Sequence, residues 1–138
     1  MNFLTQLFVP LFIISMATPT RAGESPPYAE HYLAIQEALS GDQLPDAQAA
    51  AARLEKSIRG QKILANQARQ IKVASDLEEA RKAFKALSET LIAKSKGALG
   101  PASEVVSCSM AKARWIQKKG KIRNPYYGKS MLTCGEKS

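Results

Sequence analysis

Histidine and tryptophan each occur once in the 138 residues, and cysteine only twice. Each scarcity removes a class of chemistry. A single histidine, His31, leaves no paired-histidine zinc helix. It also lies far along the chain from either cysteine, so no local Cys-His nucleophile pair exists. On a helix it reads as a surface or capping residue. The cysteines, Cys108 and Cys134, are not spaced Cys-x-x-Cys, which argues against a thiol oxidoreductase motif. "GKIRNPYYGKS" ends in Gly-Lys-Ser but lacks the earlier glycine that a phosphate-cradling loop requires. No catalytic residue is assigned, and a binding or structural protein is expected rather than an enzyme.

Long apolar runs are also missing. The one candidate, "LFVPLFIISMA" over residues 7–17, is shorter than the roughly 20 residues that span a bilayer. It precedes Thr20-Arg21-Ala22, a small-x-small pattern. Residues 1–22 are therefore expected to be a cleaved secretory signal peptide. An uncleaved anchor is the alternative, because the segment before the run holds no lysine or arginine. Residues 23–27 read as a flexible leader, and 28–138 as one domain. After cleavage no membrane contact is expected.

Charge is unevenly placed. Residues 23–102 hold 11 basic and 10 acidic side chains, whereas residues 103–138 hold 8 basic and 2 acidic. A basic third can face nucleic acid, anionic lipid or an acidic protein. Export and the absence of a nucleic-acid motif argue against the first, and a solvated lysine surface is the simplest reading.

The rest of the pattern is helical. Tyr28, Tyr32, Ile35 and Leu39 fall on one helix face, ended by Gly41 and Pro45. Ala47, Ala50, Ala51, Leu54 and Ile58 form a second face, with alanines that allow a close neighbour. Residues 61–71 are helix-permissive, as a broken or continued helix. Ser75 to Glu78 fits a capping box ahead of Leu77, Ala80, Phe84, Leu87 and Leu91. This predicts a mainly α protein: a small up-down bundle of three to four helices, with an irregular C-terminal segment, residues 103–138, packed on it. Within that segment "AKARWIQKK" suggests a helical turn or two. Asn124, Pro125, Tyr126, Tyr127 and Gly128 form a turn, and Trp115 and Ile122 are anchors.

The remaining signal is sulfur. Beyond residue 22 the chain has two methionines and two cysteines, arranged as Cys108-x-Met110 and Met131-x-x-Cys134. Thiolate and thioether donors favour Cu(I) and Ag(I) over hard cations. Equally, two cysteines in an exported chain suggest a Cys108–Cys134 disulfide, which would add roughly 3 kcal/mol in the chain-entropy model. Spacing leaves both readings open.

A resemblance bears on the choice. "CSMA", "RWI", "IRNPYYG" and "MLTCGE" resemble the C-terminal signature of a bacterial family, domain of unknown function 3347. "YLAIQEALSGDQLPDAQAAAARL" and "DLEEARKAFKALSETLIA" resemble its helical part. Members of that family occur alone or fused to CusB-like heavy-metal efflux adaptors. The resemblance implies a periplasmic protein that handles copper or silver, with Cys108, Met110, Met131 and Cys134 as ligands and an efflux adaptor as a partner. Ser109 departs from the family's proline between Cys and Met. The alternative function is a disulfide-stapled periplasmic interaction protein with a basic docking surface.

Overall fold

The computed structural model describes residues 23–138; the expected signal peptide lies outside the described residues. Among the described residues four helices come first: α1 (Ala29–Ser40), α2 (Leu44–Ser57), α3 (Lys62–Lys72) and α4 (Leu77–Lys94). Three strands follow: β1 (Ser103–Cys108), β2 (Ala113–Lys118) and β3 (Glu136–Lys137), with a 3-10 turn at Gly128–Met131. Consecutive helices pack on one another, and α4 also contacts α1 and carries the sheet on β2. The protein is mainly α, as the apolar spacing predicts.

The predicted stripes are the core. Tyr32, Ile35, Leu39, Leu54, Phe84, Leu87 and Leu91 are all buried. Ala47, Ala50 and Ala51 are buried as well, and their small side chains let α2 sit close to its neighbours. The permissive stretch after α2 is a separate helix. The α-helical ladder breaks after Ser57, and α3 restarts at Lys62 with Leu64, Ala68 and Ile71 inward.

The cap of α4 lies one residue later than expected. Asp76 is the N-cap and accepts from the Glu79 N–H at 2.8 Å. Glu79 reaches back to the Ser75 N–H and hydroxyl, both at 2.9 Å. Ser75 and Asp76 are both good caps, and Glu78 and Glu79 supply a carboxylate at either spacing.

The larger correction concerns "AKARWIQKK". It forms no helical turn. Ala113–Lys118 is a strand, paired antiparallel with β1 from Ser103 opposite Lys118 to Cys108 opposite Ala113. Trp115, Ile116 and Gln117 are buried in succession, so the strand lacks the alternation that reveals strands in sequence. Its pairing with β-branched Val105 and Val106 overrides the helix preference of its lysine, arginine and glutamine. The sheet order is β2-β1-β3.

Side chains tie this segment to the helices. The Tyr32 hydroxyl, on α1, lies 2.6 Å from Ser88 Oγ on α4 and accepts from Ile116 N–H at 3.1 Å. Tyr126 donates to the Arg114 carbonyl at 2.6 Å, and its ring lies edge-on to Trp115. Gln36 and Ser40 donate to the Arg123 carbonyl. Arg81 donates to the Pro125 carbonyl at 2.8 Å and to Asp42 at 2.6 Å.

The hydrogen bond from Arg81 holds the Asp42 carboxyl below its usual range, against the upward push of burial. A depressed pKa means that the pair contributes stability above the ordinary carboxylate range and loses it as pH falls through the lower value. Asp42→Asn should therefore destabilise the protein at neutral pH and cost less at an acid pH below the lowered value. Denaturant melts at the two pH values check this. An equal gap at both would remove the ion pair as the cause.

Candidate functional site

Cys108 ends β1 and is buried, whereas Ser109 and Met110 begin the exposed hairpin turn. Lys112 closes that turn with φ +47. The turn brings the Ala111 N–H to 3.4 Å from Cys108 Sγ. Cys134 arrives from the other direction, just past the 3-10 turn, and its N–H bonds the Met131 carbonyl at 3.1 Å. It is only partly buried. The two sulfurs stand 3.2 Å apart, and both thiols are free.

Two residues set that approach. Asn124 is fully buried. Its side-chain oxygen accepts from the Tyr126 and Tyr127 N–H groups, and its amide nitrogen donates to the Cys134 carbonyl at 2.8 Å. The predicted turn thus reaches directly to the second cysteine. Gly135 then carries the chain across the sheet: a Cβ there would meet Trp115 and Val106 at 2.9 Å. Three residues on, Ser138 N–H bonds the Val105 carbonyl, so the C-terminal strand straps Cys134 to β1.

The two thiols differ. Burial pushes the Cys108 thiol up, but donation from Ala111 N–H, Cys134, Asn124 and Met110 N–H brings it below its ordinary value on balance. Cys134 is raised, first by its hydrogen bond with Cys108 and second by burial. The two sulfurs share a hydrogen bond in which either thiol can be the donor.

A cleft of about 450 Å³ opens onto the pair; both cysteines line it, with Glu89, Arg114 and Lys112 at its edge. Arg114 forms a two-toothed ion pair with Glu89. Neither methionine lines the cleft. Met110 is 61% exposed on the hairpin turn, and Met131 is partly buried in the 3-10 turn. The structure thus brings the two cysteines into contact and keeps each methionine on the backbone turn beside one of them. His31 lies on α1, partly buried and away from the cleft. Among the described residues no group of three or more histidine, cysteine and carboxylate side chains converges. A metal held here would rest on sulfur.

Ala111, Gly135 and the Glu89–Arg114 pair do not announce themselves in the sequence. The available signal was Asn124 before proline: an asparagine in a turn bonds the backbone two residues on, and that fixes where its amide nitrogen points.

A family model described as "Protein of unknown function (DUF3347)" matches residues 29–99, just over half of the chain. The match covers the four helices and stops before β1. No curated protein and no solved structure matches the chain.

Proposed function

The chain belongs to the DUF3347 family, and from that premise we propose that it is an exported, periplasmic protein that binds Cu(I) or Ag(I) for metal resistance or delivery. Binding is stoichiometric, without turnover. The observation that carries the reading is the contact of Cys108 and Cys134 at 3.2 Å beneath an open cleft. Soft ions prefer such donors. A thiolate–metal bond of about 2.3 Å puts two sulfurs sharing an ion roughly 3.8 Å apart at a tetrahedral angle, and roughly 4.6 Å apart when opposed. The pair has to open by about an ångström, which rotation of the partly exposed Cys134 supplies. Met110 and Met131 lie outside the cleft and have to swing in to serve as the further thioether ligands. Binding expels the thiol protons. An efflux adaptor is the proposed recipient.

Titration of reduced protein with Cu(I) against a competing chelator tests this. Cys108→Ser with Cys134→Ser should weaken binding by at least roughly 100-fold, and Met110→Leu with Met131→Leu by roughly tenfold. A double cysteine variant that competes as well as the wild type removes the site.

A further inference from the structure

The sulfur pair has a second chemistry that needs no metal. We infer that Cys108 and Cys134 form a reversible dithiol–disulfide couple, in which the outer sulfur, Cys134, exchanges with small dialkyl disulfides and the inner sulfur, Cys108, resolves the mixed disulfide. This deepens the metal reading, since the oxidised pair has no thiolate left to bind an ion.

Geometry assigns the roles. Cys108 is 2% exposed and closes the end of β1, whereas Cys134 is partly exposed and follows a turn. A disulfide entering the cleft therefore meets Cys134 as the more open sulfur. In the first step Cys134 Sγ bonds to one sulfur of the disulfide. The old S–S bond breaks, and the leaving thiolate takes up the proton Cys134 gave away. In the second step Cys108 Sγ, already 3.2 Å from Cys134 Sγ, attacks it and expels the second thiolate, which takes the proton from Cys108. The protein loses two protons and two electrons, and the small disulfide becomes two thiols. The sulfurs have only about 1.1 Å to close to reach a bond of roughly 2.05 Å. The same strap serves both states, because β3 already pairs Glu136 with Ser107.

The couple also has a structural consequence. Closing it links the end of β1 to the C-terminal strand, whose own pairing with β1 is only two residues long and is extended by the Ser138 N–H on the Val105 carbonyl. Metal release on oxidation and locking of that strap are then one event.

The test equilibrates metal-free wild-type protein across a series of reduced and oxidised glutathione. Acid quenching, alkylation and intact-mass measurement follow. The wild type should pass in one transition from two alkylated thiols to none, losing two hydrogens, without accumulating a glutathione adduct. Cys108→Ser should hold one stable adduct on Cys134. Cys134→Ser should gain its adduct on Cys108 roughly tenfold more slowly. A wild type that stays alkylated throughout, or stops at the mixed adduct, overturns the couple. Equal rates in the two single variants overturn the roles. Cu(I) titration of the reduced and the oxidised protein separates this inference from the metal reading. Closure without copper binding by the reduced form sinks only the metal reading, and copper binding without closure sinks only the couple.

Discussion

Asn124→Ala should cost about 3–5 kcal/mol of stability, one of the largest single losses expected from any side chain in the C-terminal segment. Three backbone groups depend on that amide: the Tyr126 and Tyr127 N–H groups and the Cys134 carbonyl. Alanine leaves them unpartnered around a small void, and a buried unsatisfied polar group costs about 1–3 kcal/mol. For a domain of this size the melting temperature should fall by roughly 10–20 °C, readable by circular dichroism. Asn124→Asp separates hydrogen bonding from volume. Its first oxygen still accepts from Tyr126 and Tyr127, but its second faces the Cys134 carbonyl, acceptor against acceptor. Protonation restores a donor there. The aspartate pKa should therefore be raised in the folded protein, and a raised pKa means stability gained as pH falls. Asn124→Asp should thus approach the wild type in acid while Asn124→Ala does not. If both variants lose equally at every pH, the amide is not what holds Cys134.

That dependence explains why half of the site was legible and half was not. The helices were plain in the sequence because each buries one face at three- and four-residue steps, and nothing in the tertiary structure competes with that pattern. The turn at Asn124 was equally plain, because asparagine, proline and glycine each have a local reason to be there. The β1–β2 hairpin was not. Trp115, Ile116 and Gln117 are covered in succession because β2 lies against α4 while Tyr126 closes over Arg114 and Trp115. Burial from two directions erases the period of two. The contact of Cys108 with Cys134 depends on that hairpin and its register, so spacing along the chain could nominate the two cysteines but not join them. The methionines show the same limit: Met110 lies on a tight turn rather than an extended Cys-x-Met, so its side chain leaves the cleft.

Gly128→Ala should be about as damaging as the loss of Asn124, for a reason that lies in the turn after α1 and in α4. Gly128 has φ +57, where a Cβ costs roughly 1–2 kcal/mol in any setting. Here the added atom would also fall on the Asp42 carboxylate and the Arg81 guanidinium. These two groups pin the turn: Arg81 holds the Pro125 carbonyl, and Asp42 accepts from the Lys129 N–H. Displacing them frees the start of the 3-10 turn that leads to Cys134. The expected cost is about 3 kcal/mol, with faster alkylation of Cys134 as the strap loosens. A second substitution tells the two contributions apart. Asp42 itself has φ +58, so Asp42→Gly removes the obstructing carboxylate while relieving the backbone it sat on. In that background Gly128→Ala should cost only the roughly 1–2 kcal/mol of the left-handed backbone. Simple additivity across the double-mutant cycle would mean that the turn is held by backbone conformation alone. A coupling of about 1 kcal/mol or more makes the Asp42–Arg81–Gly128 contact the means by which the helical bundle sets the position of the second thiol.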